Sequence, residues 1–123
     1  MNLRRLAIIV AVCAIATTAM YAAWPMGDQD FTLVNKTGLT IDELYVSPHS
    51  AENWGKDILG EGYLDNNRQR KITFRPGTKA ARWDIKLIDE NGKEHKRFDL
   101  NLLEIETITV TRKADDSWYW TWK

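Results

Sequence analysis

The sequence has almost no cysteine and little histidine. Of its 123 residues, one is a cysteine, Cys13, and two are histidines, His49 and His95. Zinc sites need clusters of cysteine, histidine or carboxylate ligands, so no metal centre and no cofactor is predicted. Cys13 lies in the N-terminal apolar run, so the rest of the chain cannot form an internal disulfide and has no thiol chemistry.

The chain also lacks an excess of charge of either sign. It has 17 basic and 17 acidic side chains. Without Arg4 and Arg5, 15 basic side chains remain against 17 acidic ones, a net charge of −2. Nucleic acids and acidic membrane surfaces are bound by basic patches, so neither is predicted as a partner.

The N-terminal segment has the pattern of an export signal. Arg4 and Arg5 precede an apolar run, Leu6 to Ala16, and small residues follow it. This pattern predicts a signal peptide over residues 1–23. The alternative is an uncleaved membrane anchor, because Leu6 to Ala23 is 18 residues without a charge, just long enough to span a bilayer. In both cases the rest of the chain is exported, to the periplasm or outside the cell.

Short β-rich runs separated by turn residues dominate the rest of the chain. Residues 24–30 are predicted to be a linker, broken by Pro25 and Gly27. Residues 31–123 are predicted to be a single domain, with about seven short strands in an all-β fold, a small antiparallel β-sandwich or barrel. The runs are FTLVN, LTIDELYVS, KITF, ARWDIKL, the segment with Phe98, Leu100 and Leu102, IETITVT and SWYWTW.

Two of these runs carry further predictions about local structure. In LTIDELYVS, Leu39 and Ile41 share one parity and Leu44 and Val46 the other, which predicts a bulge or burial on both faces. Asn91-Gly92 predicts a hairpin with a type I′ turn, in which both central residues have positive φ.

The return strand of that hairpin has Phe98, Leu100 and Leu102 on one parity, so all three are predicted to share one face of the strand. Residues 49–70 are the least regular part of the chain. There Ser50 is predicted to cap one helical turn with Trp54 and Ile58 on the same face.

Several blocks resemble a family of small exported bacterial proteins. They are FTLVNKTGLTIDELYVSP, NWGKDILG, ITF, RWDIKL and NLLEIETITV, and they cover Phe31 to Val110. The resemblance implies a small β-rich domain behind an export signal, and it implies no catalytic residue. Family members often carry two cysteines where this chain has Ala81 and Leu103, which suggests that packing replaces a disulfide here. The terminal SWYWTWK lies beyond the shared region.

Candidate catalytic residues are few and scattered. Asp57 lies in an irregular segment and Asp84 on the polar face of a strand, and nothing in the pattern places them opposite each other as a glycosidase pair requires. Salt bridges with Arg70 or Lys86 are the simpler interpretation. A triad through His49 lacks a serine on a sharp turn.

The most unusual feature is the row of Trp118, Trp120 and Trp122 near the C-terminus. A period of two puts the three indoles on one face of a strand, with Tyr119 and Thr121 on the other. One interpretation is that the row covers the core or an interface, because each indole buries a large area. The others are an exposed platform that stacks against sugar rings and, beside an anchor, a contact with the membrane interface.

The sequence therefore predicts an exported, non-catalytic binding domain of the cell envelope or the exterior, with an envelope protein or polysaccharide as partner. The membrane would be reached only through the N-terminal segment. One alternative is a carbohydrate- or peptidoglycan-binding module that uses Trp118, Trp120 and Trp122. A further alternative is a hydrolase that uses Asp57 or Asp84.

Overall fold

The computed structural model describes residues 29–75, 78, 80 and 82–123. The predicted signal peptide or anchor and nearly all of the linker lie outside these residues. Within the part of the chain that is described, no helix is long and apolar enough to cross a membrane.

The described residues form seven strands and one turn of 3-10 helix between the fifth and sixth strands. The strands are β1 (Phe31–Lys36), β2 (Ile41–Pro48), β3 (Gln69–Ile72), β4 (Arg82–Asp89), β5 (Glu94–Asn101), β6 (Thr107–Arg112) and β7 (Trp118–Trp122). The 3-10 turn covers Leu102–Glu104.

The strands build two sheets that share one core, which confirms the predicted β-sandwich. One sheet has the order β3-β1-β6-β7 and the other the order β2-β4-β5. The pairing is not antiparallel throughout, because β1 runs parallel to β6 with Thr32 opposite Thr107. A parallel pair requires a crossover, and here the chain passes through the second sheet between β1 and β6. This long-range pairing has no signature in the local sequence.

The core lies between the inner faces of the two sheets. Alternate residues of β1 and β6 point into it, as their period-two patterns predict. Complete burial of one such leucine, valine or phenylalanine side chain stabilises the fold by about 1.5–3 kcal/mol. The buried apolar side chains are Phe31, Leu33, Ile41, Leu44, Leu59, Leu64, Ile72, Trp83, Ile85, Leu87, Leu100, Leu102, Ile105, Ile108 and Val110.

The phase change in the run LTIDELYVS is a bulge in β2, as predicted. The register between β2 and β4 shifts between Ile41 and Glu43, so Ile41 and Leu44 both reach the core. After the shift Tyr45 projects from the opposite face, where it lies beside Lys86 of β4. The bulge therefore sets which side chains of β2 reach solvent.

A second bulge overturns the prediction for Phe98. Leu100 and Leu102 are buried, but Phe98 is 53% exposed and does not share their face. Between Arg97 and Leu100, two residues of β5 oppose the single residue Asp84 of β4, and Asp99 has φ 60°. The extra residue reverses the parity of the strand, so Phe98 turns to the outer face.

The hairpin between β4 and β5 forms as predicted, but its turn type differs from the prediction. Gly92 has φ 81°, whereas Asn91 is not in the left-handed region. Asp89 N–H donates to Lys93 O (3.0 Å) and Gly92 N–H donates to Asp89 O (2.8 Å). This is a three-residue loop, a type I turn followed by a glycine bulge. The Asp89 carboxylate accepts Asn91 N–H at 2.8 Å, which favours the type I geometry.

Candidate functional site

The tryptophan row lies on the inner face of the first sheet, at its open side. The ring of Trp118 stacks on that of His95 in the other sheet, with centroids 3.5 Å apart and planes 5° from parallel. The guanidinium of Arg97 lies 5.0 Å from the ring centroid of Trp122. Trp118 and Trp120 pack against the core, while Trp122 is 41% exposed. The row closes the gap between β5 and β7, so its indoles do not form one flat exposed platform.

A buried hydrogen-bonded pair holds His95 in position to stack. His95 Nε2 lies 2.8 Å from Asp89 Oδ2, and both side chains are buried. Asp89 Oδ1 accepts the N–H groups of Asn91 and Lys93. Burial alone would raise the pKa of Asp89, but the hydrogen bonds from His95, Lys93 and Asn91 outweigh it and lower that pKa. Every bond of this carboxylate supports the turn or the stacking contact, so we assign the pair a structural role.

The outer face of the β2-β4-β5 sheet carries a second group of aromatic side chains. We define the outer aromatic surface as Tyr45, Trp54, Lys86 and Phe98. Lys86 Nζ lies 4.6 Å from the ring centroid of Tyr45 and 5.4 Å from that of Trp54. The rings of Trp54 and Phe98 are tilted by 40° with their centroids 6.1 Å apart. Aromatic rings around a cation on a solvent-facing sheet form an arrangement that can bind a ligand.

A groove of about 340 Å³ borders this surface beside Trp54. Its polar lining includes Ser47, Asn53 and Lys56, and its apolar lining includes Ile58. Ligand sites combine such apolar walls with a few polar groups, and this volume is at the lower end of their usual range.

Hydrogen bonds to β2 hold the loop that forms the groove. Ser47 Oγ donates to Asn53 O at 2.8 Å, and Ile58 N–H donates to Leu44 O at 2.7 Å. Asp57 Oδ1 accepts the N–H groups of Leu44 and Leu59, both at 2.9 Å. These bonds hold the segment against the edge of β2 as an irregular loop.

The predicted helical turn after Ser50 is therefore wrong. Residues 50–58 are not helical, and Ile58 N–H donates to Leu44 O of β2 and not to a residue of the same segment. Trp54 is half-buried beside Phe98 and Lys86. Ile58 instead packs against the core, so the two side chains do not share one helical face.

The second histidine-aspartate pair lies on the same sheet. His49 Nδ1 lies 2.8 Å from Asp84 Oδ1, which also accepts Asp99 N–H at 2.9 Å. The hydrogen bond to Asp84 raises the pKa of His49. Within the described residues no hydroxyl group bonds to His49. The pair joins the loop to the bulge that carries Phe98.

The two carboxylates considered for acid–base chemistry are both engaged in backbone bonds. Asp57 Oδ1 accepts one N–H group from β2 and one from the loop, and Asp84 Oδ1 accepts one in the bulge. Tyr45 on the outer aromatic surface donates its hydroxyl to the Glu43 carboxylate, and this bond raises the pKa of Tyr45 to about 12. Among the described residues no group of three or more histidine, cysteine or carboxylate side chains could hold a metal ion.

Part of the outer aromatic surface could be anticipated from the sequence. Tyr45 alternates with Leu44 and Val46, so its outward position follows from the pattern. Phe98 was expected on the same face as Leu100 and Leu102, and its outward position depends on the bulge opposite Asp84. Leu103, one of the two positions where family members have cysteine, is 53% exposed, so burial does not replace a disulfide there. Its counterpart Ala81 lies outside the described residues.

Fold and site together define a small β-sandwich with an aromatic surface on the outside of its three-stranded sheet. A solved structure described as "NMR structure of the protein from Eubacterium rectale" is similar to this chain, with a TM-score of 0.57 and 10% sequence identity. The similarity covers 76% of this chain and 85% of that one, and it shows the fold alone. No protein-family model matches the chain. No curated protein matches it either.

Proposed function

We propose that this protein is an exported, non-catalytic binding domain whose ligand is a polysaccharide of the cell envelope. The observation that carries the proposal is the outer aromatic surface and the groove beside it. An indole, a phenyl ring and a lysine amine meet there on a solvent-facing sheet. The export part of the proposal rests on the N-terminal sequence pattern.

A glycan suits the chemistry of this surface. Aromatic rings such as Trp54 and Phe98 stack against the apolar C–H faces of sugars. The groove beside them offers the side chains of Asn53 and Lys56, which can exchange hydrogen bonds with sugar hydroxyl groups. The loop is held to β2 by hydrogen bonds, so little conformational entropy would be lost on binding.

This surface replaces the tryptophan row as the candidate binding site. Trp118 and Trp120 face the inside of the sandwich and pack against its core. Trp54 makes its contacts on the outer face, where its neighbour Phe98 is exposed.

The proposed domain is non-catalytic because its two candidate carboxylates, Asp57 and Asp84, are engaged in hydrogen bonds that support local structure. A glycosidase needs one carboxyl group that donates a proton and a second, nearby one that acts as base or nucleophile. Asp57 and Asp84 each accept backbone N–H groups that hold the loop and the bulge. Loss of either carboxylate would first disturb these local structures.

The test compares the full chain with two tryptophan variants on insoluble peptidoglycan, chitin and cellulose. We expect the parent protein to be retained on at least one of these polymers. Trp54→Ala should reduce retention about 5- to 12-fold, since the loss of one aromatic stacking contact costs about 1–1.5 kcal/mol. Trp122→Ala should leave retention within about twofold.

Trp122→Ala is the matched control, because it removes an indole of the predicted platform without touching the outer aromatic surface. Loss of retention in Trp122→Ala but not in Trp54→Ala would move the site to the tryptophan row. No retention of the parent on any polymer would contradict a glycan ligand and favour a protein partner. Circular dichroism of each variant confirms that it is folded.

A further inference from the structure

The last strand, β7, leaves one backbone edge open. It is at the edge of the four-stranded sheet and pairs only with β6 among the described residues. Its sequence WYWTW has no charge and no proline, and none of its residues is buried. An exposed, uncharged edge strand is a template for pairing with another strand.

The other sheet edges are protected. The edge of β2 is covered, because Leu44 O accepts Ile58 N–H and Ile41 pairs with Leu64. The edge strand β3 has only four residues, QRKI, and two of them are charged. The edge strand β5 carries four charged residues in its sequence EHKRFDLN and is interrupted by the bulge at Asp99. Short, charged or bulged edges resist pairing, so β7 is the exception.

The hydrogen bonds at the two ends of the β6–β7 ladder show which residues of β7 bond to β6. We call this alternation the phase of the ladder. Thr107 and Lys123 exchange two N–H···O=C bonds, each 3.1 Å long. At the other end Lys113 N–H donates to Ser117 O at 2.8 Å. Residues that exchange bonds alternate along an antiparallel ladder, so every second residue of β7 bonds to β6.

In this phase Tyr119 and Thr121 direct their backbone groups toward β6. Trp118, Trp120 and Trp122 direct their N–H and C=O groups toward the open edge. The three donors and three acceptors are spaced symmetrically about Trp120. An antiparallel copy of the same strand, related by a twofold axis at Trp120, would satisfy all six groups on each strand with six hydrogen bonds.

Side chains at the two ends of the strand also suit this arrangement. In the twofold register Trp122 of one copy lies opposite Trp118 of the other, so the exposed indole of Trp122 gains an apolar neighbour. Lys123 lies opposite Ser117, next to the exposed carboxylate of Asp115. The strand is thus complementary to itself in hydrogen bonding, apolar contact and charge.

We propose that β7 is a homodimerisation edge, at which two copies of this chain join their four-stranded sheets through an antiparallel β7–β7 pair. Such an interface is isologous, because both copies contribute the same residues. Self-pairing is favoured over a foreign strand because the register about Trp120 matches the strand with itself.

The first test compares two substitutions of Trp122. Only one of them removes a backbone N–H group from the open edge of β7. Trp122→Pro and Trp122→Ala both lose the exposed indole, but only the proline also loses the N–H that faces the open edge. Sedimentation equilibrium of the full chain in a mild detergent should show a concentration-dependent dimer. We expect the dissociation constant of Trp122→Pro to exceed that of Trp122→Ala by about 30-fold, because two of the six bonds of the dimer are lost.

The second test checks the register of the β7–β7 pair by placing charged side chains on the outer face of β7. About the twofold axis, Tyr119 lies opposite Thr121 of the other copy. The double variant Tyr119→Lys/Thr121→Lys places like charges opposite each other and should abolish the dimer. The double variant Tyr119→Glu/Thr121→Lys places opposite charges there and should retain it.

These outcomes decide the proposal. A monomeric parent protein at all concentrations would overturn it and leave the edge to a strand from another protein. Equal dissociation constants for the proline and alanine variants, or equal behaviour of the two charge variants, would also overturn it. If Trp122→Pro is unfolded by circular dichroism, the charge variants alone decide, since their substitutions lie on the exposed face of β7.

Discussion

The two histidine-aspartate pairs of this protein have the same bond length but differ in their surroundings. Each joins an imidazole nitrogen to a carboxylate oxygen at 2.8 Å. In the inner pair, Asp89 and His95 have side chains that are 3% and 7% exposed, and the imidazole is covered by Trp118. In the outer pair His49 is 50% exposed. The inner pair supports the fold, whereas the outer pair connects the groove loop to the bulge, so burial and not distance separates their roles.

Removal of the inner carboxylate should have the largest effect. Asp89→Ala leaves the buried imidazole of His95 and two backbone N–H groups without their acceptor. We expect it to lower the free energy of unfolding by about 3–5 kcal/mol, measured by urea denaturation. The control Glu94→Ala removes an exposed carboxylate of the next strand and should cost less than about 1 kcal/mol. Equal losses for the two variants would show that the inner pair does not support the fold.

Removal of the stacked indole should have the next largest effect. Trp118→Ala uncovers His95 and removes a half-buried side chain from the open side of the sandwich. We expect a loss of about 2 kcal/mol, less than the value for a fully buried tryptophan. Tyr119→Ala, on the outer face of the same strand, is the matched control and should cost less than about 1 kcal/mol. A loss no larger than that of Tyr119→Ala would contradict the inward packing of the row.

The inner pair should also make stability depend on pH in the acid range. The pKa of Asp89 is lower in the folded protein than its ordinary value of 3.8. Its contribution is therefore complete above about pH 3.8 and is lost as the pH falls through the lower folded pKa. Between pH 5 and pH 2, Asp89→Asn should lose less stability than the parent protein. An identical slope of unfolding free energy against pH in the two proteins would refute this.

The outer pair, His49 and Asp84, should be detectable by titration. This is the smallest of the predicted effects. The hydrogen bond to Asp84 raises the pKa of His49 above its ordinary value of 6.5. NMR titration of the imidazole protons should show this, and Asp84→Asn should return the pKa toward 6.5. If the pKa of His49 is the same in Asp84→Asn, the pair does not persist in solution.

Local patterns predicted the strands well because they depend on neighbours in the sequence. Phe31 and Leu33 alternate with polar residues, and β1 buries both. The phase change between Ile41 and Leu44 predicted the bulge of β2. Asn91-Gly92 located a hairpin, although the carboxylate of Asp89 changed its turn type.

The misplaced residues are those whose position depends on a partner strand. Phe98 has the parity of Leu100 in the sequence, but the bulge opposite Asp84 separates the two in space. The parallel pairing of β1 with β6 joins residues that are far apart along the chain. The groove loop was expected to contain one helical turn, but Ile58 N–H and the carboxylate of Asp57 bond to Leu44 of β2 instead.

The sequence by itself determined the all-β class, the strand positions and the row of three indoles on one face, because period two and turn residues are local properties of the chain. The tertiary structure alone decided that this row faces His95 and Arg97 across the sandwich, and that Trp54 and Phe98 meet on the outer face. The physical reason is that solvent exposure and contact depend on which strands lie side by side and where a bulge reverses their parity.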